Sequence, residues 1–154
     1  MTALVRIEFK RLSTTAVLPT YATDGAAGMD LVADENWTIQ PNCRQLVKIN
    51  IAIALPAFYE AQVRPRSGLA LKHGITVLNS PGTIDPDYRG GIGVILLNTS
   101  TQSFTVTRGD RIAQLVIAPI FRASFTEVDS LDETVRGEGG FGSTGLHRMI
   151  EGAI

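Results

Sequence analysis

The chain has 154 residues, enough for one domain with its own core and too few for a second. Its 14 Lys and Arg against 15 Asp and Glu leave a net charge of −1, so no global field is available to attract a nucleic-acid duplex or an anionic membrane, and any anion site must be local. A single cysteine, Cys43, excludes an intrachain disulfide, and with only two separated histidines it makes a poor zinc inventory. No uninterrupted apolar run approaches bilayer length, and the expected setting is the reducing cytoplasm.

In chain order, β-type runs are expected at Leu4–Phe9, Gln45–Leu55, Phe58–Arg64, Ile75–Leu78, Ile92–Asn98, Ser103–Thr107, Arg111–Ala118 and Phe125–Val128. The stretch from Val47 to Ile53 alternates large apolar residues with smaller or polar ones, the period-2 pattern of a strand with one buried face. Phe104–Thr107 and Ile112–Val116 flank Arg108-Gly109-Asp110 and read as two strands joined at a turn. Further turn signals stand at Thr23–Gly25, Gln40–Asn42, Pro81-Gly82, Asp85–Asp87 and Arg89–Gly91, and only Ser67–Lys72 suggests a helical turn. Many short strands with punctuating turns predict an all-β sandwich or barrel. The composition turns Gly-rich from Thr134, which divides the chain into a β body (1–133) and a C-terminal arm (134–154).

Four segments could carry chemistry before the arm. Asp24 and Asp30 flank the tight Gly25–Gly28 turn; Asp24 reads as a turn residue, whereas Asp30 could touch a hydrated metal, since magnesium needs few protein ligands when phosphates and waters complete its octahedron. Arg64-Pro65-Arg66-Ser67-Gly68 places two guanidiniums and a hydroxyl where the chain leaves a strand, which suits either a phosphate loop or a solvated turn with a surface ion pair. The run from Asn79 to Gly90 packs carboxylates, a phenol and an amide between two β segments. Asp85 could deprotonate a water there and Tyr88 could cover a sugar, although Asp, Pro and Gly are also what plain turns select. Gln114 alternates with apolar neighbours and reads as the solvent-facing member of its strand.

Within the arm, Arg136 to Gly145 combines one cation, five glycines, two hydroxyls and one aromatic ring. Glycines let backbone N–H groups turn inward around an anion, Ser143 and Thr144 add hydroxyl donors, Arg136 can fork onto phosphate oxygens, and Phe141 is left for stacking. A flexible terminus with one incidental aromatic has the same composition. Cys43, Trp37, His73 and His147 read as structural.

Taken together and in order, Ala26–Leu31, Arg64–Ala70, Asn79–Gly90, Gly109–Leu115 and Arg136–Gly145 resemble the five motifs of the trimeric deoxyuridine triphosphate nucleotidohydrolase family, the dUTPases. The resemblance implies a jelly-roll-like subunit in a homotrimer with active sites at subunit interfaces. Each site would take Asp85 and Asn79 from one subunit, Arg66 and Ser67 from a second and the arm from a third. It further implies hydrolysis of dUTP to dUMP and pyrophosphate by water attack at the α-phosphorus, which limits uracil incorporation into DNA and supplies dUMP for thymidylate synthesis. Asp85 would activate the water. Asn79 with the hairpin at Thr83 and Ile84 would read uracil, and Tyr88 would pack on deoxyribose. Arg66, Ser67, Gly68 and Gln114 would hold the triphosphate, and Mg2+ would chelate it with water-mediated help from Asp30. Arg136 would grip the terminal phosphate, Phe141 would stack on uracil, and Gly142, Ser143 and Thr144 would complete the closing arm.

Two departures from the family pattern are Gly91, where many relatives carry Glu or Gln, and the apolar extension Leu146–Ile154. The related dCTP deaminases resemble the same fold but use a glutamate on the strand after the corresponding turn, where this chain has Ile95; without a carboxylate there the deamination lacks its proton shuttle. A nucleotide-sensing protein without turnover is the other class of reading, and the complete motifs weigh against it.

Overall fold

The computed structural model describes residues 4–143 and divides the chain into two units, Met1–Phe121 and Arg122–Ile154. Eleven strands and one helix lie in the first: β1 (Glu8–Arg11), β2 (Thr20–Tyr21), β3 (Met29–Val32), β4 (Trp37–Ile39), β5 (Arg44–Ala54), β6 (Tyr59–Arg64), α1 (Ser67–His73), β7 (Ile75–Val77), β8 (Gly82–Ile84), β9 (Gly91–Asn98), β10 (Phe104–Val106) and β11 (Arg111–Pro119). The expectation of a mostly β chain holds, and the helical turn at Ser67 runs to His73, where Gly74 ends it in the left-handed region (φ 66°) with its N–H bonded to the Ala70 carbonyl.

The strands form a four-stranded sheet in the order β1-β5-β9-β7, a five-stranded sheet in the order β2-β3-β11-β6-β8, and the pair β10-β4. Every pairing is antiparallel. β5 behaves as its alternation predicts: Val47, Ile49, Ile51 and Ile53 are all buried. β9 alternates in the same way, with Ile92, Val94 and Leu96 inward. These side chains meet Leu31 of β3, Ala61 and Val63 of β6, Ile84 of β8 and Leu115 of β11 in one apolar core, so both large sheets are held face to face by the hydrophobic effect.

The short strands β2, β3, β4 and β8 escape sequence periodicity because two to four residues cannot establish a period; they are strands only because a neighbour offers a ladder. The converse holds at Phe125–Val128, expected as a strand. Among the described residues no strand follows Pro119, and Phe125 is 96% exposed, with no ladder to pair into. Likewise the first strand starts at Glu8 rather than Leu4, where pairing with β5 begins. Among the described residues, no helix is long and apolar enough to cross a membrane.

Two buried polar side chains tie loops to this frame. Asn98 is fully buried; its amide donates to the carbonyls of Ile39 (2.9 Å) and Gln102 (2.7 Å), and its Oδ1 accepts from the Ser100 N–H (2.9 Å) and hydroxyl (2.8 Å). Asp34 is 4% exposed. Its Oδ2 accepts from the Ser13 hydroxyl and from Asn50 Nδ2 (2.8 Å), its N–H donates to the Lys48 carbonyl (3.0 Å), and Arg108 Nε lies 3.6 Å from Oδ1. The carboxylate thus gathers the turn after β1, a bulge in β5 and the turn before β11. Asn50, at the bulge, sits at φ 52° where the β5–β9 register shifts. Burial alone would raise the Asp34 carboxyl. Hydrogen bonds from Ser13, Thr15 and Asn50, with the Arg108 guanidinium, outweigh it and hold the group below the usual carboxylate range.

A carboxyl depressed in the folded state stabilises the fold above its unfolded pKa, about 3.9, and that contribution is lost as pH falls through the folded value. Asp34→Asn is therefore expected to melt below the parent at pH 7, with the gap narrowing as thermal melts are repeated from about pH 4 downward. A gap that stays constant over that range would remove Asp34 from the acid sensitivity of the fold.

Candidate active site

The segment between β7 and β9 crosses from one sheet to the other. Leu78 still belongs to the first, its N–H donating to the Ile95 carbonyl (2.9 Å). Four residues later β8 lies against β6 in the second, with Gly82 opposite Val63, Thr83 opposite Gln62 and Ile84 opposite Ala61. Gly82 gives the room for close packing at this crossing: a Cβ there would crowd Asn79 Nδ2 at 3.1 Å and Val63 Cβ at 3.3 Å, so the Asn79 amide packs close to the glycine. Beyond β8, the Tyr88 N–H donates to the Asp85 carbonyl (3.1 Å) and closes the turn through Pro86 and Asp87. Tyr88 then folds back over Gly90, and its hydroxyl donates to the Gly91 carbonyl (3.2 Å). A Cβ on Gly90 would fall 2.3 Å from that hydroxyl oxygen.

Two adjoining cavities open along this segment and share Tyr88, Gly91, Ile92 and Gly93. The smaller, about 180 Å³, is completed by Thr83, Ile84 and Asp85. The larger, about 430 Å³, reaches Asn79, Asn50, Ile95 and the side chains of Leu12 and Leu46. Asn79, Thr83, Ile84, Asp85 and Tyr88 are therefore brought around one cleft. Asp85 is exposed, and no hydrogen bond to its carboxylate occurs among the described residues, which leaves both oxygens free to accept a proton.

A second group gathers on the other side of β6. Asp30 of β3 stands opposite Gln114 of β11, which stands opposite Arg64 of β6. Gly28 lets this row pack closely, since a Cβ there would lie 3.2 Å from Gln114 Cβ. The mostly buried Asp30 carboxylate faces two guanidiniums: Arg66 Nε is 3.2 Å from Oδ1 and Arg111 Nη1 is 3.1 Å from Oδ2. Arg66 Nη1 also donates to the Arg111 carbonyl (3.0 Å). Arg66 occupies the extended residue that precedes α1 (φ −92°, ψ 126°), and Ser67 and Gly68 open the helix, exposed and without a side-chain cap.

Sequence reasoning gave no role to Arg111. Three positions from Gln114, it belongs to the opposite face of a regular strand, but the β3–β11 register shifts between Arg111 and Ala113, and Ile112 and Ala113 are both buried in succession. The extra residue restores Arg111 to the face of Asp30 and Gln114. A bulge of this kind has no compositional signal.

Among the described residues, no three His, Cys, Asp or Glu side chains stand together as a metal cage. With each Asp30 oxygen turned to a guanidinium, these side chains do not fit a resident metal held by protein ligands.

The second unit has its own geometry. Around Arg136 the chain makes successive tight turns: Gly137 N–H to the Thr134 carbonyl (3.0 Å), Gly139 N–H to the Arg136 carbonyl (3.0 Å) and Ser143 N–H to the Gly140 carbonyl (3.0 Å). Gly137 and Gly142 supply the left-handed conformations (φ 52° and 85°), and Phe141 adopts one as well (φ 50°). Arg136 Nε donates to the Gly139 carbonyl (2.7 Å), while the Phe141 ring is fully exposed. Thr144 and the extension Leu146–Ile154 lie outside the described residues.

The dUTPase family model matches residues 14–145. The deoxyuridine 5'-triphosphate nucleotidohydrolases of Syntrophotalea carbinolica and Wolinella succinogenes are each 56% identical to this chain, covering 92% of it and 98% and 95% of their own lengths. Among solved structures, the Staphylococcus bacteriophage 80alpha dUTPase with dUPNHPP superposes with a TM-score of 0.84 at 27% identity, over 92% of this chain and 99% of that one. A dUTPase from phage phi11 of S. aureus that coordinates a structural Mg(II) ion shares the fold, with a TM-score of 0.76 at 22% identity over 83% of this chain and 99% of that one.

Proposed function

The chain belongs to the dUTPase family, and from that premise we propose that it hydrolyses dUTP to dUMP and pyrophosphate with Asp85 as the general base. The observation that carries this reading is the pair of adjoining cavities, joined at Tyr88, along which Asn79, Thr83, Ile84 and Asp85 are set. A water beside Asp85 gives a proton to the carboxylate as its oxygen forms a bond to the α-phosphorus. The bond from that phosphorus to the α–β bridging oxygen breaks, and pyrophosphate leaves with the electron pair. Asn79 and the β8 backbone at Thr83 and Ile84 read the uracil edge, and the Tyr88 ring forms the wall against the sugar. The apolar Ile95 at the far side of the cleft supports hydrolysis over deamination, since no carboxylate stands there to shuttle protons to the base. Removal of dUTP limits uracil incorporation into DNA, and the dUMP formed feeds thymidylate synthesis.

Arg66, Ser67, Gly68 and Gln114 bind the triphosphate in this reading, by charge neutralisation and orientation. Asp30, its oxygens engaged by Arg66 and Arg111, would meet a magnesium chelate of the substrate phosphates only through water, and the ion would supply charge neutralisation there. Arg136 holds the terminal phosphate, Phe141 stacks on the base, and Gly142, Ser143 and Thr144 close around the chain of phosphates.

Strand register supports a site shared between copies of the chain, which the family reading takes to be a homotrimer. Ile84 pairs with Ala61, so Asp85 lies past one end of the β6–β8 ladder and Arg66 past the other. At about 3.3 Å per residue that separation is roughly 15–20 Å, longer than a triphosphate can bridge while its α-phosphorus sits at Asp85. Arg66 from a neighbouring copy resolves the mismatch.

Four measurements test these assignments. Asp85→Asn should retain dUTP binding by calorimetry and lose about 10²–10⁴-fold in pyrophosphate release. Mixing that protein with Arg66→Ala after joint refolding should restore part of the activity that neither has alone; no recovery in mixed assemblies would confine each site to one chain. Truncation before Arg136 should slow turnover by at least about tenfold with little change in melting temperature, and a fully active truncated enzyme would discard the closing arm. Gly90→Ala should swing the Tyr88 ring off its glycine seat and reduce discrimination of dUTP over UTP by roughly tenfold in kcat/KM; an unchanged ratio would mean that the ring does not exclude the ribose hydroxyl.

A further inference from the structure

The row of cross-strand partners beside α1 ends in an arrangement that none of the roles above explains. One mostly buried carboxylate, Asp30, divides its two oxygens between two guanidiniums, and the backbone carbonyl of the second arginine accepts from the first. A bulge in β11 is what turns Arg111 onto this face. We propose that Arg111 is a positioning residue for the triphosphate site: by occupying Asp30 Oδ2 it restricts Arg66 to Oδ1 and keeps the remaining Arg66 donors directed at phosphate. This rests on the reading of Arg66 as a phosphate ligand.

The argument is one of donor and acceptor bookkeeping. A free carboxylate takes a guanidinium by both oxygens at once, the strongest geometry the pair can reach. Arg66 bound in that way would spend its fork on Asp30 and present little to an anion. With Arg111 on Oδ2, only Nε of Arg66 meets Asp30 and Nη1 is held by the Arg111 carbonyl, so the guanidinium plane is set from two sides. Three charged groups in contact also leave a net positive charge of one, which a lone Arg66–Asp30 pair would not have. Arg111 remains half-exposed and supplies the charge from the rim of the corner.

The test uses ligands that separate the two halves of the substrate: inorganic tripolyphosphate for the phosphate corner and deoxyuridine for the cleft, each titrated by calorimetry against the full-length protein. Arg111→Ala should weaken tripolyphosphate about tenfold and leave deoxyuridine unchanged, with Arg111→Lys falling between because it restores charge without the fork. In an Arg66→Ala background the same Arg111→Ala change should cost clearly less than in the parent, since only the charge of Arg111 and not its positioning of Arg66 is then lost. An equal loss in both backgrounds, no loss in either, or a parallel loss of deoxyuridine binding would overturn the proposal. If the parent enzyme hydrolyses dUTP while Arg111→Ala binds tripolyphosphate normally, the positioning role fails and the dUTPase reading stands; if the parent neither binds tripolyphosphate nor hydrolyses dUTP, both fall.

Discussion

The three-residue ladder between β8 and β6 is the constraint on which the site depends. Gly82, Thr83 and Ile84 reach the five-stranded sheet only because the preceding residues leave the four-stranded one, so the segment is stretched between two layers whose separation the core sets. Ile84 is buried in that core and acts as the anchor. A slip of one residue in this ladder would turn Ile84 outward and Thr83 inward, and would carry Asn79 and Asp85 off the cleft together. The apolar contacts that hold the sheets therefore also hold the distance between the Asn79 amide and the Asp85 carboxylate, the two groups to which the proposed function gives base reading and water activation.

Electrostatics in this molecule are local throughout. A chain with net charge −1 has no long-range pull on an anion, and local positive character is assembled at one corner from Arg66 and Arg111 around a single carboxylate. Asp34 shows the opposite arrangement: a buried carboxylate whose Oδ2 accepts from hydroxyl and amide donors while Oδ1 has no hydrogen-bond partner and only a guanidinium 3.6 Å away, serving to pin loops. The two aspartates differ in what surrounds them, and only the first is bordered by strand ends that open to solvent.

Much of the fold was legible because β5 and β9 are long enough to show their period, and the motif order located the cleft residues before any geometry was available. What stayed hidden shares a physical cause. β3 and β8 exist through pairing and not through local preference, Arg111 joins its site through a bulge that inverts the parity of a strand, and the Phe125–Val128 run has the right residues with no partner edge. Each depends on what lies across a ladder, which no window of sequence contains.

Arg136 has a partner of its own, since the carbonyl of Gly139 accepts from its guanidinium inside the turn that the glycines build. A carbonyl is a neutral acceptor, and a phosphate oxygen forms a charge-assisted bond roughly twice as strong. Under the proposed function the turn would thus serve as a resting place for the arginine: a phosphate would draw the guanidinium from the carbonyl, and on its departure the turn would take it back, so the group need not stand bare between turnovers.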